Sequence, residues 1–161
     1  MNYLAGFLLT RLALPLLLES GRARVVNVTS VGQHAIDFDD VMLETRYSGI
    51  RAYCQSKLAQ VMATFDLATE VASASLTANC LHPATYMDTT MVRRDGATPM
   101  SSVDEGAEAI LNLILSPALA DVTGSYFDGK QISRANPQAY DAVAREALRR
   151  LSGWLSGIPG P

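Results

Sequence analysis

Tyr53 and Lys57 are four residues apart in the segment RAYCQSKLAQV, a spacing of about one helical turn. On a helix, this spacing places a phenol and an ammonium group side by side on one flank. A phenol titrates near pH ~10 and transfers protons poorly at neutral pH, unless a nearby positive charge favours the phenolate. The pair therefore predicts a tyrosine that can act as a general acid or base.

The other lysine of the chain, Lys130, also follows a tyrosine by four residues, in the segment YFDGK. That segment has the pattern of a strand that runs into a glycine turn, where the two side chains would not meet. A strand-like run precedes Tyr53, and this context favours Tyr53 as the reactive group.

That run is residues 24–30, RVVNVTS, whose β-branched residues predict a buried parallel strand that ends in two hydroxyls before Gly32. In open parallel sheets, functional groups collect just beyond the carboxyl ends of the strands. Ser30 would lie at this position, and the next helix would bring Tyr53 back to it.

Three stretches together resemble the active-site half of the short-chain dehydrogenase/reductase family: RVVNVTSVG, FDD at residues 38–40, and YSGIRAYCQSKLAQVM. The long connection between the serine and the tyrosine is similar to that of the retinol-dehydrogenase-like branch. The opening NYLAGFLLT resembles the family's helix with a catalytic asparagine, which corresponds to Asn2. CLHPATYMDTTM resembles the strand and loop that hold the nicotinamide, and the likeness covers residues 2–155.

The resemblance implies an NAD(P)-dependent oxidoreductase that interconverts an alcohol and a carbonyl without a metal. Tyr53 would be the acid in reduction and the base in oxidation, and Lys57 would favour the phenolate and bond the nicotinamide ribose, so that both contact the cofactor. Ser30 would orient the substrate oxygen, while its neighbour Thr29 should matter less. Asn2 would anchor a water chain that returns protons to Lys57.

The loop after Pro83 is expected to contact the nicotinamide. The family usually has Pro-Gly here, with a threonine five residues after the proline. In this chain Ala84 replaces the glycine, and Asp88 stands at the fifth place with Thr89 at the sixth. Either the loop is one residue longer and Pro83 and Thr89 hold the cofactor, with Thr89 at the carboxamide, or the threonine contact is lost.

Residues 84–102 are predicted to form a loop that carries Met87, Met91 and Met100. Because methionine adapts to differently shaped apolar ligands, the loop predicts a largely apolar small-molecule alcohol or carbonyl as substrate. His34 and His82 are interpreted as structural residues, since a lone histidine in such a position seldom binds a ligand.

Alternation of strands and helices predicts an α/β fold, a partial Rossmann-type doubly wound parallel sheet of three strands with flanking helices. The helix from 51 to 71 has one apolar face, formed by Leu58, Val61, Met62, Phe65 and Ala68. The predicted helices are 2–19, 51–71, 103–115 (with Ser102 and Glu105 as a capping box) and 136–152, the strands are 24–30, 76–82 and 123–128, and the tail 153–161 is irregular.

No G-x-x-x-G-x-G segment, the family's phosphate-binding loop, occurs in the sequence. We expect one domain, residues 1–161, that forms the carboxyl-terminal part of a longer fold and leaves strand 24–30 with an apolar edge to be paired. Two hypotheses stay open: an NAD(P)-dependent oxidoreductase that is a homo-oligomer or pairs with a full-length relative, or a non-catalytic member that acts, if at all, through such assembly. The substrate and the choice between NAD and NADP are not readable.

A net charge of −3 and an isoelectric point near 5.3 argue against a nucleic acid or an acidic membrane as partner. Cys54 and Cys80 form no metal-binding pattern, and we expect them to be reduced thiols, on a helix and a strand respectively, of a cytoplasmic protein. Arg11 and Pro15 interrupt the apolar opening segment, which therefore fits neither a signal peptide nor a membrane span.

Overall fold

The computed structural model describes residues 1–72 and 75–158 of the chain. Strands alternate with helices as far as β3, and the architecture is α/β, as the sequence predicted. The elements are α1 (Leu4–Glu19), β1 (Ala23–Val28), α2 (Gly49–Glu70), β2 (Leu76–His82), α3 (Thr90–Arg94), α4 (Val103–Leu115), β3 (Tyr126–Asp128), β4 (Gln131–Ser133) and α5 (Ala142–Ser156).

The sheet has the order β1-β2-β3-β4. β1, β2 and β3 are parallel, and β4 returns antiparallel to β3. The prediction of three strands was wrong by one, because β4 has only three residues, all exposed, which are too few to establish a strand period. The turn between β3 and β4 depends on Gly129, whose φ of 57° lies in the left-handed region.

Helices cover both faces of this sheet, as in a Rossmann-type fold. On one face, α2 packs with α1 and α5 against β2, and the predicted apolar face of α2 is buried there. On the other face, α4 places Ala109 and Leu113 against Leu81 and Phe127. Within the part of the chain described here, no helix has the combined length and hydropathy that a bilayer crossing requires.

Several predicted boundaries differ from the structure. Helix α1 begins at Leu4, so Asn2 precedes it, and β1 ends at Val28, two residues before Ser30. β3 begins only at Tyr126, because Gly124 has a left-handed φ of 67° that interrupts extended backbone. The predicted loop 84–102 contains the short helix α3. The capping box at the start of α4 is confirmed.

The predicted helix from 136 to 152 is two elements. Asn136 caps a 3-10 turn over Pro137–Tyr140, and Asp141 then accepts hydrogen bonds from the first backbone N–H groups of α5. Helix α5 continues to Ser156, so residues 153–156 are helical and the prediction of an irregular tail was wrong there. Residues 159–161 of that tail lie outside the described residues.

Candidate active site

Ser30 lies just beyond the carboxyl end of β1 and is buried. The preceding residue, Thr29, continues the pairing with β2, because its backbone N–H and its hydroxyl both donate to the Leu81 carbonyl, at 2.7 and 3.0 Å. The Ser30 Oγ accepts a 3.0 Å hydrogen bond from the Gly32 backbone N–H. A hydroxyl that accepts still has its own proton to donate, so Ser30 can donate to a substrate oxygen.

Two side chains, one near in the sequence and one distant, hold the Ser30 backbone. The Ser30 carbonyl accepts hydrogen bonds from Gln33 Nε2 at 2.7 Å and from the Tyr126 hydroxyl at 3.3 Å. Burial raises the pKa of Tyr126, so this phenol stays protonated and able to donate. Gln33 is itself fixed, since its Oε1 accepts from the Asn136 backbone N–H at 2.8 Å. Sequence reasoning missed both residues, because Tyr126 is far from Ser30 in the chain and Gln33, although only three residues away, is fixed by the distant Asn136.

Tyr53 and Lys57 lie one turn apart on α2, as predicted. The N-terminus of α2 is fixed by Ser48, whose hydroxyl accepts a 3.1 Å hydrogen bond from the Arg51 backbone N–H. Lys57 Nζ is 5.6 Å from the centre of the Tyr53 ring, and 43% of Tyr53 is exposed. Partial burial lowers the pKa of Lys57. The helix thus presents a cation beside an accessible phenol.

Lys57 also binds β1 directly, since its Nζ donates a 3.1 Å hydrogen bond to the Val28 carbonyl. The peptide that joins Val28 to Thr29 is trans, and its N–H points to Leu81 of β2. The Val28 carbonyl therefore points away from β2, toward the outer edge of β1. This bond uses one N–H group of the ammonium, which has three.

Gly32 lies between Ser30 and Tyr53. A β-carbon built on Gly32 would be 3.5 Å from Ser30 Oγ and from Cys54 Sγ, and 3.8 Å from Tyr53 Cε1. The serine hydroxyl and the edge of the tyrosine ring therefore border the same space, which the missing side chain leaves open. The structure thus brings together three of the predicted residues, Ser30, Tyr53 and Lys57.

Asn2 is joined through its backbone to α2, the helix that carries Lys57. It is exposed and precedes α1, and its backbone carbonyl accepts a 2.7 Å hydrogen bond from Gln60 Nε2. Gln60 follows Lys57 by one turn of α2. The described hydrogen bond thus joins Asn2 to the helix that carries Lys57, through Gln60 and not to the ammonium itself.

Pro83 is buried immediately after β2, and Thr89 caps α3. The Thr89 hydroxyl accepts a 3.4 Å hydrogen bond from the Val92 N–H, which leaves its proton free to be donated. Asp88 is paired with Arg93, with 2.6 Å between Oδ1 and Nε, and this contact lowers the pKa of Asp88. Of Asp88 and Thr89, the two residues near the family's threonine position, Thr89 is therefore the one whose side chain can donate a hydrogen bond.

The two histidines have different surroundings. His82 is buried at the end of β2, where its Nε2 shares a 2.9 Å hydrogen bond with Thr85 Oγ1. Burial lowers the pKa of His82, and the nearby Asp128 partly opposes this. His34 is exposed.

Within residues 1–72 and 75–158, no group of three His, Cys, Asp or Glu side chains converges in a way that could hold a metal ion.

The donors at this end of the sheet fit the nicotinamide and ribose portion of a dinucleotide. The Lys57 ammonium suits ribose hydroxyls, and the Thr89 hydroxyl suits a carboxamide oxygen. The sequence contains no glycine-rich loop that would hold a pyrophosphate. The fit therefore concerns one half of the cofactor.

Comparison with known proteins identifies one family of relatives. The model of the short chain dehydrogenase family matches residues 1–99. Retinol dehydrogenase 13 of Homo sapiens is 35% identical over 178 residues, which cover 99% of this chain and 54% of the relative. Retinol dehydrogenase 12 of Homo sapiens is 35% identical over 168 residues, which cover 98% of this chain and 53% of that relative. The chain spans about half the length of the curated relatives it matches.

Solved structures agree with this similarity. An uncharacterized protein from Mycobacterium paratuberculosis superposes with a TM-score of 0.75 at 29% identity, over 99% of this chain and 58% of that one. The similarity therefore extends to the arrangement of the elements that position Ser30, Tyr53 and Lys57.

Proposed function

The chain belongs to the short-chain dehydrogenase family, and on that premise we propose that it is the proton-transferring part of an NAD(P)-dependent oxidoreductase that interconverts an alcohol and a carbonyl. The observation that carries this proposal is the convergence of Ser30, Tyr53 and Lys57 at the carboxyl end of β1. A proton donor, a second hydroxyl and a fixed cation around one open space suit a reaction in which a carbonyl oxygen gains a proton.

In carbonyl reduction, the Ser30 hydroxyl would donate to the substrate oxygen and orient it, because Gly32 leaves that proton free. Tyr53 would then transfer its phenolic proton to the same oxygen. The positive charge of Lys57, 5.6 Å from the ring centre, favours the negative charge left on the phenol. In alcohol oxidation the same residues act in reverse, with Tyr53 as the base. A bound nicotinamide supplies or accepts the hydride.

The cofactor contacts proposed here are Tyr53, Lys57, Pro83 and Thr89, whereas Asn2 is proposed as the anchor of a water chain to Lys57. Gln60 bonds the Asn2 carbonyl and so holds this residue near α2.

The proposed substrate is a largely apolar small molecule. Met91 and Met100, in the segment after β2, are each 71% exposed and could contact an apolar chain. The curated relatives are named retinol dehydrogenases, which is consistent with an apolar alcohol as the substrate class. We also propose that the protein is located in the cytoplasm.

Assembly is the second candidate function, in which the chain is non-catalytic and pairs with a full-length relative. The observation that favours it is a stripe of exposed leucines on α1, Leu9, Leu12 and Leu16, at spacings of three and four residues. Such a stripe on one helix face suits packing against another helix. The same stripe would serve a homo-oligomer of an active enzyme, so assembly alone does not decide between the two candidates.

Calorimetry of the purified 161-residue chain with NADH and NADPH, followed by kinetics of a chimera, separates them. Because no glycine-rich loop holds the pyrophosphate, we expect weak or undetectable binding. The enzyme proposal is then tested on a chimera that joins the amino-terminal half of retinol dehydrogenase 13 to this chain, with apolar alcohols and aldehydes. Turnover that depends on Tyr53 supports the enzyme, and a folded, cofactor-binding chimera without turnover supports the non-catalytic candidate. Micromolar binding by the chain alone would contradict our expectation.

A further inference from the structure

Gly106, in the first turn of α4, receives the side chain of Met87. A β-carbon built on Gly106 would lie 2.2 Å from Met87 Sδ, far closer than two nonbonded atoms can approach. The thioether therefore rests directly on the backbone of α4. This contact requires that residue 106 has no side chain.

The segment that carries Met87 is closed at its base by a short ladder of backbone hydrogen bonds. The Asp88 N–H donates to the Ser101 carbonyl and the Met100 N–H donates to the Tyr86 carbonyl, both at 3.0 Å. Met87 and Ser101 form an isolated parallel bridge between them. The two ends of the segment after β2 are thus held together where it meets α4.

Met87 makes one more contact through its backbone, since its carbonyl accepts a 2.7 Å hydrogen bond from the Thr89 N–H. Its side chain and its carbonyl therefore face two different partners. The side chain is held by α4, and the carbonyl holds Thr89. Met87 consequently contacts α4 through its side chain and Thr89 through its carbonyl.

We propose that Met87 and Gly106 are positioning residues for Thr89, with the thioether of Met87 fixed in the space that Gly106 leaves on α4. The inference rests on the proposed function only for the role of Thr89 at the nicotinamide carboxamide. We expect a side chain at position 106 to displace the thioether of Met87, and the Met87 backbone, whose carbonyl accepts from the Thr89 N–H, to shift with it.

The test uses 15N–1H spectra and thermal unfolding of the full 161-residue chain with the variants Gly106→Ala, Met87→Ala and the double variant. Each single substitution should shift the Thr89 amide resonance, and the double variant should shift it no further, because both changes break the same contact. An unmoved Thr89 resonance in either single variant, or shifts that add in the double variant, would overturn the proposal.

Gly6→Ala is the matched control, because Gly6 is a helical glycine of α1 with nothing within 4 Å of a built β-carbon. It should leave the Thr89 resonance unmoved and raise the unfolding midpoint equally with or without Met87. Gly106→Ala should raise the midpoint more in the Met87→Ala background than in the native one, since the clash is then gone. An equal effect in both backgrounds would contradict the contact. None of these measurements depends on turnover. A failure of this proposal can therefore be told from a failure of the proposed function.

Discussion

The ammonium group of Lys57 is hydrogen-bonded to the carbonyl of Val28 at 3.1 Å, on the side of β1 that faces away from β2. This bond joins α2 to the end of β1 that leads to Ser30. It also brings a positive charge to within 5.6 Å of the Tyr53 ring centre. A charge that is held by the backbone keeps one position, whereas a free lysine side chain samples many.

Replacing Tyr53 by Phe should remove the proton donor and leave the shape of the site intact. In the chimera described above, we expect turnover to fall by about 100- to 10,000-fold, while cofactor affinity changes by only a few-fold. Steady-state kinetics and calorimetry on the same preparation check both parts. Tyr47→Phe is the control, since Tyr47 is 73% exposed in the loop before α2. Retained turnover in Tyr53→Phe would remove this residue from its proposed role.

Ser30 and Thr29 should differ in their effect on turnover, although they are adjacent hydroxyls. Ser30→Ala removes the donor to the substrate oxygen, and we expect turnover of the chimera to fall by about 100-fold. It also removes the acceptor of the Gly32 N–H, which should lower the free energy of unfolding by about 1 kcal/mol. Thr29→Val removes a hydrogen bond to the Leu81 carbonyl and should lower the free energy of unfolding by about 1 kcal/mol, with turnover unchanged. Urea unfolding and kinetics of both variants check this pattern. A larger fall in turnover in Thr29→Val than in Ser30→Ala would show that Thr29, and not Ser30, donates to the substrate oxygen.

Gly32 should tolerate a small side chain and not a branched one. An Ala β-carbon would lie at ordinary contact distances of 3.5 to 3.8 Å from its neighbours, so we expect Gly32→Ala to retain turnover. Gly32→Val places further methyl groups between Ser30 and Tyr53, and the chimera should show a raised KM for the bulkier substrates of a graded series. Gly49→Val is the control, since a β-carbon there meets nothing within 4 Å. Equal KM values for Gly32→Val and the native residue would show that substrate does not occupy this space.

The stability of the chain should fall as the pH drops below the ordinary His pKa of 6.5. Burial lowers the pKa of His82 in the folded state, so the unfolded chain binds a proton there first. The stability that buried, neutral His82 contributes is complete above the pKa of this histidine in the unfolded chain. It is lost as the pH falls from that value toward the lower pKa of the folded state. Urea unfolding at about pH 7.5 and about pH 5.5 should show a smaller loss in His82→Asn than in the native chain. His34→Asn, at an exposed histidine, should keep the native pH dependence, and an equal loss in His82→Asn would contradict the prediction.

The order of helices and strands followed from local patterns. The apolar face of α2, the capping box of α4 and the one-turn spacing of Tyr53 and Lys57 all involve residues a few positions apart, so the sequence displays them directly. Several element ends differed from the prediction by a few residues, and β4 was missed because three residues are too few to establish a period. The early end assigned to α5 was a comparable error.

What the sequence determined alone is the set of reactive side chains and the helix that places Tyr53 beside Lys57, because both depend on short-range geometry. Only the tertiary structure decided that Lys57 bonds Val28 and that Gln33 and Tyr126 hold the Ser30 carbonyl. Most of these partners come from separate elements, and packing of the helices on the sheet brings them together. Hydrogen bonds between residues far apart in the chain produce no periodic pattern in the sequence. The sequence therefore shows which side chains are present, and packing decides how they are arranged in the site.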